Sequence, residues 1–89
     1  MILGRVKGEV VATIKHPAYA SWRMLLLDRI TPDGEELGGY LVAIDAVDAG
    51  VGQTVLVIDE GNSARQVVSD PRAPIRSVII GIVDEITQE

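Results

Sequence analysis

The chain has 89 residues, with no cysteine, no phenylalanine and one histidine. Without cysteine there are no disulfide staples, thiolate metal ligands or cysteine nucleophiles. A secreted domain this small would ordinarily need such staples, so an intracellular, cytoplasmic home is expected. His16 stands alone beside Pro17 at a strand end and reads as a surface loop residue. Ser21, Ser63, Ser69 and Ser77 therefore have no second histidine to complete a nucleophile–base–orienter arrangement. Basic residues are also scarce: 8 Lys and Arg stand against 13 Asp and Glu, for a net charge of −5. Phosphate binding depends on clustered cations, so neither nucleic acid nor an anionic membrane is an expected partner. No apolar run approaches the ~18–20 residues that cross a bilayer. The start, Met1-Ile2-Leu3-Gly4-Arg5, lacks the basic and long apolar regions of a signal peptide.

What the chain does have is aliphatic side chain. Hydrophobic residues make up 47% of it, although only 3% is aromatic, and its mean hydropathy is +0.26. Residues 1–89 make one domain, and a domain of this size buries only roughly 60–65% of its unfolded surface. Such a small interior cannot hold all of this apolar surface. Self-association is the simplest outlet, because large apolar patches mark contact sites.

The hydropathy pattern places five strands. Residues 2–14 alternate, with Ile2, Gly4, Val6, Gly8, Val10, Ala12 and Ile14 on one face, the signature of a long half-buried strand. Gly4 and Gly8 on that face imply bends or close backbone approach, and His16-Pro17 ends the strand. After a loop from Pro17 to Ser21, a second strand is expected over 22–30. Met24-Leu25-Leu26-Leu27 is apolar on both faces, as in a strand that is central or covered by a neighbouring subunit. Thr31-Pro32-Asp33-Gly34 is a turn, and Leu37-Gly38-Gly39 leads into a third strand over 40–45. A fourth strand is expected over 54–59 and a fifth over 76–86. Between them Ser63 caps one helical turn through Ala64, Arg65 and Gln66, and Ser69 to Pro74 form a polar, proline-rich loop. The expected fold is all-β: a small five-stranded OB-like Greek-key barrel, closed or partly open, with one short helical turn.

Little in the sequence carries catalytic chemistry. Glu35-Glu36, Asp45, Asp48 and Asp84-Glu85 are scattered over turns and strand ends, where solvated carboxylates are ordinary. No Asp, Glu or His spacing matches a metal site, and no cofactor is expected. Gly50-Val51-Gly52 invites a phosphate-cradle reading. It lacks the Lys-Ser/Thr of a Walker loop, the third glycine of a dinucleotide fingerprint and a long helix behind it. An alternative function remains open, a small acidic OB-type module binding single-stranded nucleic acid or another ligand, with Trp22 near Arg23 as a stacking platform.

Four segments in order are more specific than any of these taken singly. They are Gly8-Glu9-Val10-Val11-Ala12-Thr13, Val47-Asp48-Ala49-Gly50-Val51-Gly52-Gln53-Thr54-Val55-Leu56-Val57, Glu60-Gly61-Asn62-Ser63-Ala64-Arg65 and Ile80-Gly81-Ile82-Val83-Asp84. This order resembles the bacterial microcompartment vertex family of ethanolamine-utilisation and carboxysome pentamers, over nearly the whole chain. The resemblance implies a non-enzymatic shell protein that assembles as a cyclic homopentamer. It would cap the vertices of a polyhedral shell, with hexameric shell proteins as partners. It implies that Asp48, Ala49, Gly50, Val51, Gly52 and Gln53 lie near the five-fold axis and pore, and that Asn62, Ser63, Ala64 and Arg65 form a subunit interface. Asp48 stands where the family often has glycine, and Gln53 where it often has glutamate, so acidity near the axis would rest on Asp48. Arg76, after Ile75, replaces the acidic residue usual in relatives, and any ion pair made by that acid is absent here.

Overall fold

A computed structural model of the chain describes residues 1–11, 17–19, 22–68 and 76–86. Their order is β1 (Ile2–Val10), a 3-10 turn (Pro17–Tyr19), β2 (Met24–Ile30), β3 (Glu36–Asp45), β4 (Thr54–Asp59), α1 (Gly61–Val68) and β5 (Ser77–Ile82). The strands close into a barrel in the order β1-β2-β3-β5-β4. All pairings are antiparallel except β3 with β5, which are parallel and matched only at Ile44↔Val78 and Asp45↔Ile79. This is the expected OB-like Greek-key topology, in its closed form.

Inward-facing residues from every strand fill the barrel: Val6, Leu25, Leu27, Ala43, Val55, Val57 and Ile79, together with Ala49 from the loop after β3. Gly4 lies where β1 crosses closest to β2. A Cβ there would come 3.3 Å from both the Asp28 carbonyl oxygen and Leu27 Cβ, the close approach expected of a glycine on this face. A second, smaller cluster forms on the outer wall, where Ile44, Ala64 and Val78 are buried beneath α1 and flanked by Tyr19, Trp22 and Ile80.

The structure corrects the sequence reading in several places. β1 alternates as expected only to Val6. The register shifts from Val6↔Leu27 to Gly8↔Leu26, so Lys7 is a bulge. Directly paired residues share a face, and the bulge therefore carries Gly8 and Val10 to the outer wall and leaves Glu9 on the inner side. β3 begins at Glu36 rather than Tyr40. The hairpin resumes at once after the 31–34 turn and absorbs Gly38, at φ 80°, as an irregularity between Asp28↔Tyr40 and Ile30↔Glu36. β2 and β5 are each shorter than expected. The helix has eight residues rather than one turn, and its cap is Glu60, not Ser63. The Ala64 amide donates to the Glu60 carbonyl, and the Ser63 amide and hydroxyl donate to Glu60 Oε2 at 2.9 and 2.7 Å. A side chain long enough to turn back onto the third helical amide replaces the usual short capping residue. His16, Ser21 and the Ser69–Pro74 loop lie outside the described residues.

β4 and β5 also carry an ion pair. Ser77 Oγ donates to Asp59 Oδ1 at 2.7 Å and Arg76 Nε donates to the same oxygen at 3.2 Å. The Ser77 hydroxyl, assisted by the Arg76 charge, holds the Asp59 carboxyl below its ordinary value against the opposing effect of burial. Arg76 thus has a partner within its own chain.

Two measurements follow. Leu27, fully buried in the barrel, is expected to lose about 2–5 kcal/mol on Leu27→Ala. Urea titration at fixed protein concentration would show this as a lower midpoint at unchanged slope. Because the folded-state pKa of Asp59 is depressed, its stabilisation is complete above the unfolded value of about 3.9 and is lost as pH falls through the folded value. The stability gap between wild type and Asp59→Asn should therefore be constant near neutrality and shrink below about pH 4. A gap that widens on acidification would show that the carboxylate is not stabilised by these donors.

Candidate functional site

The glycine-rich loop is built on one buried carboxylate. Asp45 ends β3 and is 7% exposed. Its Oδ1 accepts the Val47 amide at 3.1 Å, and its two oxygens accept the Ala49 amide at 3.1 and 3.0 Å. A charged acceptor folds the chain back over itself, as aspartate does in turns. Ala49 is thereby drawn into the barrel core, where it is 1% exposed. Asp48, immediately before it, is forced into the left-handed region at φ 59°. Glycine would adopt that geometry at little cost.

The other half of the loop closes on β1 and on itself. The Gly52 amide donates to the Val6 carbonyl at 2.8 Å, and the Val6 amide donates to the Gln53 carbonyl at 3.0 Å. The Gly50 amide donates to Gln53 Oε1 at 2.7 Å, and the Gln53 amide donates to the Gly50 carbonyl. An amide oxygen performs this task as well as a carboxylate, so the Gln53 departure leaves the loop closed. Gly52 adopts φ 88°, which favours glycine. Val51 is left at the tip with its side chain in solvent.

Arg23 sits over the mouth of the barrel, at the start of β2. Its Nε donates to Glu9 Oε1 at 3.1 Å, and its Nη1 donates to Asp45 Oδ2 at 3.3 Å and Asp48 Oδ1 at 3.1 Å. These acceptors, the hydrogen bond to Glu9 foremost, hold the guanidinium firmly in its charged form. Two of the scattered carboxylates, Asp45 and Asp48, are thus gathered with Glu9 around one cation. The Asp48 charge proposed to govern the axis is partly answered within the chain.

The sequence-predicted residues are distributed as follows. Asp48, Val51 and Gln53 are exposed, Gly50 is half-buried, and Ala49 is a core residue. On α1, Ala64 is fully buried against Ile44 and Val78 of its own chain. Ser63 serves the helix cap. Arg65 folds back along the first turn, its Nη1 2.9 Å from where a Gly61 Cβ would stand. Nothing is described for the Asn62 side chain. Sequence reasoning named Arg23 only beside Trp22 and Glu60 only within a motif, and missed the hold of the first on the loop and the helix cap made by the second. The only available signal for Arg23 was an arginine preceding an aliphatic strand in a chain with few cations.

This geometry disposes of the phosphate cradle. The amides of Ala49, Gly50 and Gly52 are taken by Asp45, Gln53 and Val6, so none is free to meet an anion. It also undercuts a stacking platform. Trp22 packs against the outer cluster, Arg23 is committed to carboxylates, and exposed Tyr40 has Lys7 Nζ 5.1 Å from its ring centroid.

The family described as ethanolamine utilisation protein EutN/carboxysome matches residues 1–84. The bacterial microcompartment shell vertex protein PduN of Salmonella typhimurium is 43% identical over 91 residues, covering 98% of this chain and 99% of the relative. The carboxysome shell vertex protein CcmL of Gloeobacter violaceus is 40% identical over 87 residues, covering 98% and 86%. The structure of GrpN, a pentameric microcompartment shell protein from Rhodospirillum rubrum, superposes with a TM-score of 0.89 at 34% identity, covering all of both chains. The closed barrel, its glycine loop and these likenesses agree: the chain belongs to the EutN/carboxysome family of microcompartment shell vertex proteins, a family of structural rather than catalytic subunits.

Proposed function

We propose that this chain forms a homopentamer that caps the vertices of a bacterial microcompartment shell in the cytoplasm, seated among hexameric shell proteins. Hexagonal tiles alone make flat sheets or tubes, and a closed shell needs pentagons at its corners. The role is geometric: closure around encapsulated enzymes, with no bond made or broken by this chain.

The observation that carries the reading is an uncovered apolar face on the outer wall of β1, β2 and β3. The bulge at Lys7 places Gly8 beside Leu26 and Val42 in one row, and Val10 beside Met24 in the next, which ends at Ile44 where α1 covers the wall. Val42 and Tyr40 are 47% and 68% exposed in the single chain. Part of the aliphatic surplus expected from composition is thus spread over β1, the doubly apolar β2 and β3. A face of this kind marks association. In a ring it would meet a different patch on the next subunit, because cyclic five-fold symmetry requires a heterologous contact. The 48–53 loop is proposed to lie towards the five-fold axis, with Val51 and Gly52 at its tip. The segment Asn62, Ser63, Ala64 and Arg65 is proposed to contribute to the subunit interface through its backbone and the exposed flank of α1, since the Ala64 side chain is already buried.

Mass measurement in solution tests the assembly. A species of five subunits is expected, and single subunits at high concentration would overturn it. Electron microscopy of shells made without this chain should show tubes or gapped corners, and normally closed polyhedra would remove the vertex role. Gly50 tests the axis placement separately. A Cβ there would stand 3.6 Å from Gln53 Oε1, an ordinary contact, so the subunit itself tolerates a side chain. Gly50→Arg would bring five guanidinium groups together, with repulsion of order 1 kcal/mol per close pair even at high dielectric. The variant should fold normally but form pentamers only at higher concentration; native mass spectrometry showing wild-type pentamers would place the loop elsewhere.

A further inference from the structure

Asp48 is the one described non-glycine residue with positive φ, a geometry that crowds the Cβ of an L-residue. Such strain persists only where the surroundings over-determine it. On one side the surroundings are the Asp45 carboxylate, which fixes the flanking Val47 and Ala49 amides. On the other side stands Arg23, whose Nη1 reaches Asp48 Oδ1 and Asp45 Oδ2 together while Nε reaches Glu9. The guanidinium fork thus joins the end of β1, the end of β3 and the strained loop residue.

We propose that Arg23 is the positioning residue of the 46–53 loop, holding Asp48 in its left-handed conformation and so setting the direction in which the Val51–Gly52 tip projects. The latch has two tiers. The Asp45 side chain is 1% exposed and its contacts are shielded from solvent ions, whereas the Asp48 side chain is 95% exposed and that of Glu9 49%. Salt screens exposed pairs and spares buried ones. The buried hub therefore persists at high ionic strength while the hold on Asp48 weakens. A loop whose outer half depends on ion pairs responds to ionic strength, whereas one with glycine at this position would lack that response. The consequence for a pore rests on the axis placement proposed above, but the latch itself does not.

Amide hydrogen exchange on the full chain tests this, at about 0.01 M salt, where the screening length is roughly 30 Å, and at about 1 M, where it is roughly 3 Å. In wild type, exchange at Gly50 and Gly52 should rise with salt while Ala49, held by the buried Asp45 carboxylate, stays protected with Leu27 and Val57. Arg23→Gln should raise loop exchange roughly tenfold at low salt, the scale of a local opening, and abolish the salt response. Arg23→Lys, which keeps the charge without the fork, should fall between. Asp48→Asn enters the left-handed backbone about as readily as aspartate but loses the ion pair, so its loop should exchange faster than wild type at low salt and without salt dependence. Wild-type exchange in Arg23→Gln, or an undiminished salt response in Asp48→Asn, would overturn the proposal. If Arg23→Gln loosens the whole barrel, the Asp48→Asn comparison decides alone. The readout lies within one chain, so a sample that proves monomeric sinks the pentamer and still reports on the latch. Intact pentamers with a salt-indifferent loop sink only the latch.

Discussion

The barrel closes through a single short parallel contact, Ile44 and Asp45 of β3 against Val78 and Ile79 of β5. Much else depends on that join. It turns five strands into a closed wall and removes the exposed edges that an open sheet would present for indiscriminate pairing. It splits the apolar residues of β5 between two compartments, with Ile79 inside the barrel and Val78 beneath α1. It also delivers Asp45 to the barrel mouth at the moment the chain leaves the sheet, where its carboxylate can fold the following residues inward.

From this join the two halves of the molecule acquire different characters. Inside, aliphatic side chains alone fill the barrel, with no buried polar side-chain atom lacking a partner among the described residues. Outside, one flank is covered by the short helix and by Tyr19 and Trp22, and the other is left open across β1, β2 and β3. A chain this small cannot cover its own wall on both sides. The uncovered flank is therefore the physical counterpart of its hydropathy, and assembly is how such surface is hidden.

The mouth of the barrel follows a different logic. Arg23, Glu9, Asp45 and Asp48 cluster where the core meets solvent, and individually such pairs contribute little. Their value is geometric. Asp45 takes the Val47 and Ala49 amides, and Arg23 ties the left-handed Asp48 to the barrel mouth. An aspartate at this point brings an electrostatic restraint where a glycine would bring only conformational freedom.

Much of this was legible in the residues. Period-two alternation, Pro-Gly and Gly-Gly punctuation and the absence of long helical periodicity indicated five strands and a barrel, and the surplus of aliphatics indicated a partner. These signals are local or compositional, and one sequence carries them. The Lys7 bulge, the helix cap by Glu60 and the convergence on Arg23 were not legible. Each depends on residues distant in sequence becoming neighbours through strand register, and a shift of one position reverses which face a side chain takes. Thus composition alone determined that this chain would be a small aliphatic β domain in need of company. Only the closed barrel decided which wall stays bare, which carboxylate is buried and where the glycine loop points.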